Sequence, residues 1–95
     1  MRIFISQPMA GKTDREIQTK RDAVIEMLKS NYPDCEILDT FFKDDNGNPV
    51  EMLGKSILKL SEADLAVFLD GWDIARGCKI EEMIARGYGI QCLYL

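Results

Sequence analysis

The chain contains no histidine, and its three cysteines, Cys35, Cys78 and Cys92, are widely spaced with no CxxC pair. A zinc site and a disulfide framework are therefore not expected, and a reduced, cytoplasmic setting is. The missing imidazole also leaves any acid–base chemistry to Asp, Glu, Tyr, Lys or Cys. No apolar run approaches the roughly 20 residues of a membrane span. The longest, Leu65 to Leu69, is strand-sized, and the apolar part of MRIFIS is too short for a signal peptide. Basic residues are in deficit: 12 Lys and Arg face 16 Asp and Glu, a net charge of −4. That balance argues against a general nucleic-acid or anionic-membrane binder, which needs a basic face. It leaves room for a small anionic ligand, since a few local donors suffice to hold one phosphate.

What remains is ordinary material for a globular domain. Residues 1–95 make a single domain, and 46% hydrophobic residues are enough for its core. So short a domain is only modestly stable by itself, so a homo-oligomer is expected.

Ile3-Phe4-Ile5 reads as a strand that ends in the turn-like stretch Ser6 to Gly11. Thr13 with Glu16 forms a capping-box pattern, and Ile17, Val24, Met27 and Leu28 recur at helical spacing until Pro33. Glu36-Ile37-Leu38 is a second strand, Lys43 to Pro49 a loop, and Met52, Leu53, Ile57 and Leu60 the apolar face of a second helix. Within that loop, Asp44-Asn46-Asn48 imitates a calcium loop, but Pro49 and Lys55 stand where its glycine and bidentate glutamate belong. Leu65 to Leu69 has the continuous apolar character of a strand buried on both faces. Gly71 and Gly77 flank an irregular segment, Ile80, Met83 and Ile84 mark a third helix, and Cys92 to Leu95 is a last strand. The order βαβαβαβ allows only parallel pairing. The expected fold is a doubly wound, Rossmann-like or flavodoxin-like sheet of about four strands in three α/β/α layers. Ligands of such sheets bind outside the carboxyl ends of the strands, at the switch point.

That rule selects the segments after each strand. Ser6, Gln7, Pro8, Met9, Gly11 and Lys12 follow the first; Asp39 follows the second; Asp70, Gly71, Trp72, Gly77 and Cys78 follow the third. Glu81 is placed in the first turn of the third helix, where the dipole and free amides favour an ionised carboxylate. Such a group either attacks a sugar carbon or simply complements the dipole at the surface. Glu82, about 100° further round the helix, is expected to be solvated. Trp72 either stacks on a base or closes the edge of the core, and Cys78, without a histidine, reads as a small packed or capping residue. The run from Ser6 to Thr13 keeps P-loop spacing, but Ser6 replaces the first glycine and Pro8 removes an amide from the phosphate cradle. No G-x-G-x-x-G follows the first strand, which leaves Asp39 as the one feature of a nicotinamide site.

Ile3-Phe4-Ile5-Ser6-Gln7-Pro8, Asp70-Gly71 and Gly77-Cys78-Lys79-Ile80-Glu81, with Ala85 and Gly89 beyond, together resemble the nucleoside 2-deoxyribosyltransferase-like proteins. The resemblance spans nearly the whole chain. It implies cleavage or transfer at the N-glycosidic bond of a nucleoside or nucleoside 5′-monophosphate, without cofactor or metal. By that resemblance Glu81 is the nucleophile. Many members carry an acid six positions earlier, where this chain has Ala75, and Asp73 or Asp70 is the candidate substitute. A non-catalytic nucleotide-binding module on the same fold is the alternative, and the position of Asp73 relative to Glu81 discriminates the two.

Overall fold

The computed structural model describes residues 1–40 and 48–95. Residues 43–47 of the expected loop at Lys43 to Pro49, with Asp44 and Asn46 of the calcium-like series, lie outside them. Four strands, β1 (Arg2–Ser6), β2 (Glu36–Ile37), β3 (Leu65–Phe68) and β4 (Gln91–Tyr94), form one sheet in the order β2-β1-β3-β4. Every pairing is parallel, with Arg2 opposite Glu36, Ile3 opposite Leu65, and Leu65 opposite Gln91. This is the doubly wound α/β fold with flavodoxin-like strand order. The chain steps from β1 outward to β2, then crosses back to β3, so the switch point lies between β1 and β3.

Helices α1 (Asp14–Asn31), α2 (Pro49–Leu60) and α3 (Arg76–Gly87) provide the outer layers. Strand side chains alternate between faces, and the two cores follow that alternation. Ile3, Ile5, Leu65 and Val67 pack against Val24 and Leu28 of α1. Phe4, Ala66 and Phe68 pack on the other face against Leu60 of α2 and Ala85 of α3. Leu65 to Leu69 is buried throughout, as a strand covered on both sides must be.

Helix ends follow local chemistry. Thr13 caps α1 by accepting from the Glu16 amide at 3.1 Å, and its hydroxyl lies 3.2 Å from Glu16 Oε1. Asn48 caps α2 by accepting from the Glu51 amide at 2.9 Å. Pro49 therefore belongs to the helix rather than to the loop expected from the sequence, because its missing N–H is no loss at the first helical position. Helix α3 begins at Arg76 behind Ala75, which offers no side-chain cap. Gly77 fits this first turn against Leu53 of α2, whose Cδ1 would lie 3.9 Å from an added Cβ.

Candidate functional site

A cleft of about 270 Å³ opens at the switch point. Gln7, Pro8 and Lys12 form one side of it, Leu69 and Asp70 the side after β3, and Glu16 and Lys20 of α1 overhang it. The two strand-end loops touch at Gly71, where an added Cβ would sit 3.4 Å from Pro8 Cγ. Gly71 has φ +91°, a left-handed conformation that lets the chain turn sharply out of β3 toward Trp72. A second turn, closed by the Lys12 amide on the Met9 carbonyl at 3.1 Å, carries Gly11 at φ +77° and delivers Lys12 to the cleft. Asp70 and Lys12 are exposed, and Met9 is half-buried.

On the α2–α3 side of the sheet, and not among the residues that line this cleft, lies a buried acid. Ser6 is the last residue of β1, 1% exposed, and its hydroxyl donates to Glu81 Oε1 at 2.6 Å. Glu81 is 7% exposed. Burial pushes its pKa above the usual glutamate range, while hydrogen bonds from Ser6 and from Ser56 of α2 pull it back down. The Cys78 thiol adjoins the same group. Burial raises its pKa first, the Ser6 hydroxyl lowers it, and the Glu81 charge raises it further. Cys78 is accordingly a packed residue, as its lack of an imidazole partner suggested. Glu81 does not lie in the first turn of α3, as the glycine pattern suggested; it lies one turn deeper, because the helix starts at Arg76. Its environment favours the neutral acid, whereas a helix amino terminus would favour the carboxylate.

Glu82 corrects the expectation of a solvated neighbour. It is 6% exposed, accepts from Tyr94 Oη at 2.7 Å on Oε2, and forms an ion pair with Arg86 at 3.2 Å. Hydrogen bonds from Arg86 and then Tyr94 hold its carboxyl below the usual range. The helix has two covered sides here, one toward β1 and α2 and one toward β4, so adjacent glutamates are both enclosed. Trp72, half-buried on the 3₁₀ turn Trp72–Ile74, packs on Phe68 and Tyr94 with ring centroids 5.8 and 5.3 Å away. It closes the edge of the second core. Asp73, on the same turn, is exposed and shares no hydrogen bond with Glu81 among the described residues.

On the α1 side a second polar cluster supports the cleft. Gln7 is 8% exposed, and its Nε2 donates to the Ile17 carbonyl at 2.9 Å. Its Oε1 is buried and has no partner among the described residues. Arg21, buried in α1, donates through Nη2 to the Leu38 carbonyl at 3.3 Å and to Thr40 Oγ1 at 3.2 Å. Thr40 in turn donates to the Ile5 carbonyl at 3.2 Å, tying α1 to the ends of β2 and β1. Burial pushes the Arg21 pKa down, opposed by the charges of Asp39 and Asp22.

Of the residues singled out in the sequence, Gln7, Pro8, Lys12 and Asp70 line the cleft, and Ser6 meets Glu81 apart from it. Glu16 and Lys20 in the cleft and Ser56 beside Glu81 were not among those singled out. The signal for the first pair was present: Glu16 and Lys20 are four apart in α1, which places them on one side of the helix. Ser56 was legible as a polar residue on the Leu53, Ile57, Leu60 face of α2. Among the described residues no group of side chains is arranged to hold a metal ion, and no helix is long and apolar enough to cross a membrane. Comparison with protein-family models, with curated proteins and with solved structures finds no match to this chain.

Proposed function

We propose that this domain binds a nucleoside or nucleoside 5′-monophosphate in the switch-point cleft and cleaves or transfers at its N-glycosidic bond through Glu81. The observation that carries this reading is a buried acid with no counter-charge. Glu81 is bonded to hydroxyls and belongs to none of the ion pairs among the described residues. An apolar side chain would fill that space at lower cost, so a carboxyl kept there points to chemistry. Its hydroxyl partner immediately precedes Gln7 in the cleft wall. The resemblance to the nucleoside 2-deoxyribosyltransferase-like proteins supports the same assignment.

In the proposed reaction a Glu81 carboxylate oxygen attacks the anomeric carbon. The C–N bond breaks, and the base leaves with its electron pair and takes up a proton. Water then attacks the glycosyl ester, or a second base does, and the carboxylate is restored. The attack needs the ionised acid, which the Ser6 hydroxyl favours and burial opposes. Base release therefore rises with pH through the elevated Glu81 ionisation. Incubation with the common nucleosides and their 5′-monophosphates, followed by chromatography for free base, tests this. Wild-type protein should release base, and Glu81→Gln should lose several powers of ten, about 4 kcal/mol or more of barrier.

The exposed position of Asp73 favours a second reading, a non-catalytic nucleotide-binding module. Binding without base release from any of these compounds would select it. In either case we expect a cytoplasmic homo-oligomer. The exposed Val50 and Leu58 of α2 and Met83 of α3 support self-association, which light scattering would check.

A further inference from the structure

We infer that α2 is the contact between two copies of this chain, crossing the same helix of a partner subunit about a twofold axis beside Gly54. The inference rests on the self-association proposed above, whose surface it specifies, and is independent of Glu81 and of the cleft. Of the 12 residues of α2 only Leu60 is buried, whereas α1 buries a series from Ile17 to Leu28 and α3 one from Cys78 to Ala85. Yet α2 is apolar round most of its circumference. Its charges, Glu51, Lys55 and Lys59, recur at every fourth residue and so fall in one wedge of about 80°. Beside that wedge runs a second row with the same spacing, Val50, Gly54 and Leu58. All three are exposed, Val50 by 78% and Leu58 by 70%. A helix with so narrow a polar strip is one that is covered on more than one side. Leu53 packs against Gly77 of α3 and Ser56 reaches Glu81, so the rest of the chain covers one side. The row of Val50, Gly54 and Leu58 lies about 100° round the helix from Leu53, on the side turned away from α3.

Nothing within the chain calls for glycine at the centre of this row. Gly54 is not among the glycines with positive φ, an added Cβ would meet nothing within 4 Å, and only proline is a poorer helix former. What a glycine between two large exposed apolar side chains does permit is the close approach of another helix, its own row interdigitating at a crossing angle of about −50°. The charged row selects a second copy in antiparallel alignment. Turned about an axis at Gly54, Val50 meets Leu58 of the partner subunit, and Leu58 meets Val50 of the partner subunit. Glu51, three residues before Gly54, then lies about 3 Å along the helix from Lys55 of the partner subunit, and the twofold repeats the pair. A parallel alignment would instead set each charge beside its own copy. Two crossing helices, each about 18 Å long, cover less than the roughly 800 Å² per partner of a standard interface, so the dimer dissociates in the micromolar range.

Sedimentation velocity of the full chain, from about 1 to about 500 µM, tests the assignment. Wild type should pass from monomer to dimer over this range. Leu58→Glu should stay monomeric throughout, with an unchanged melting temperature in dilute protein because Leu58 is exposed in the single chain. Gly54→Gln should raise that melting temperature, since glutamine is the better helix former, and still abolish the dimer. Met83→Glu, at an exposed position of α3, should leave the dimer intact. Glu51→Lys and Lys55→Glu, each shown to be folded by circular dichroism, should dimerise at least about tenfold more weakly than wild type. Their equimolar mixture should recover the wild-type affinity, because every pair across the axis is then of opposite charge. Self-association that survives Leu58→Glu, or a mixture no tighter than its parts, would overturn this surface and leave self-association itself standing. A wild type that is monomeric at every concentration would remove both. In that case a melting temperature lowered by Leu58→Glu would show that the chain itself covers the row.

Discussion

Replacing Ser6 with alanine separates the two protonation states of Glu81. The Ser6 hydroxyl, 1% exposed, donates to Glu81 Oε1 at 2.6 Å, so its removal leaves a buried carboxyl short of one donor. Glu81 titrates higher in the folded chain than in the unfolded one, because burial outweighs its two hydroxyl partners. Between those two values the folded chain holds a proton that the unfolded chain has lost, and stability declines as pH rises through that window. Ser6→Ala raises the folded value further and so steepens the decline. At the low-pH end, where the acid is neutral, the variant should lose about 1 kcal/mol, an ordinary hydrogen bond. As pH rises through the elevated Glu81 ionisation, the lost bond becomes a charge-assisted one, and the penalty should grow toward about 2–3 kcal/mol. The Cys78 thiol is pushed above its usual range and stays protonated over this interval, so it does not confuse the titration. Urea unfolding of wild type and variant from pH 4 to 8 measures the difference directly. In a Glu81→Gln background the pH dependence of the Ser6 effect should vanish. A penalty that is flat with pH, or larger at pH 4, would refute the claim that Ser6 supports the ionised acid.

Other substitutions probe the frame around the cleft. Gly71→Ala, at φ +91° and with Pro8 Cγ 3.4 Å from the new Cβ, should destabilise by about 1–2 kcal/mol and weaken ligand binding by displacing Pro8; unaltered unfolding and titration curves would contradict this. Gly54→Ala, in the interior of α2 with open space around it, should instead stabilise by about 0.5–1 kcal/mol, and a loss in thermal or urea unfolding would show that a neighbour covers this face. Tyr94→Phe keeps the stacking on Phe68 but removes the 2.7 Å bond to Glu82. It should cost about 1 kcal/mol in urea unfolding, and no change would mean that this bond does not fasten β4 to α3.

The fold was legible because its strands carry their own signals: Ile3-Phe4-Ile5 and Leu65 to Leu69 are apolar runs that only two-sided burial explains, and the helical periods between them force parallel crossovers. Thr13 and Glu16 announced the start of α1 through a purely local interaction. Helix α3 had no such announcement. Ala75 cannot cap, and Gly77 looks like an interruption until Leu53 of α2 is seen against it, so the start of α3 was placed too late and Glu81 too near its end. That displacement inverted the electrostatic expectation, since the same carboxyl one turn deeper is enclosed by Ser6, Ser56 and Cys78 and leans toward its neutral form. Glu82 was misjudged for a related reason. Periodicity assigns one buried side to a helix, and the tertiary arrangement of β4 gives α3 a second one, which Tyr94 occupies. Arg21 makes the same point from α1: its place in the buried series Ile17, Arg21, Val24, Leu28 is visible in the spacing, but only the carbonyl of Leu38 and the hydroxyl of Thr40 explain how a guanidinium sits there. The positions that broke the binary pattern, Ser6, Arg21, Ser56 and Glu81, are the ones that pay in desolvation for being polar, and all but Arg21 meet at one carboxyl. Aliphatic side chains would fill that junction at lower cost in desolvation, which is the physical ground for testing the proposed role of Glu81 first.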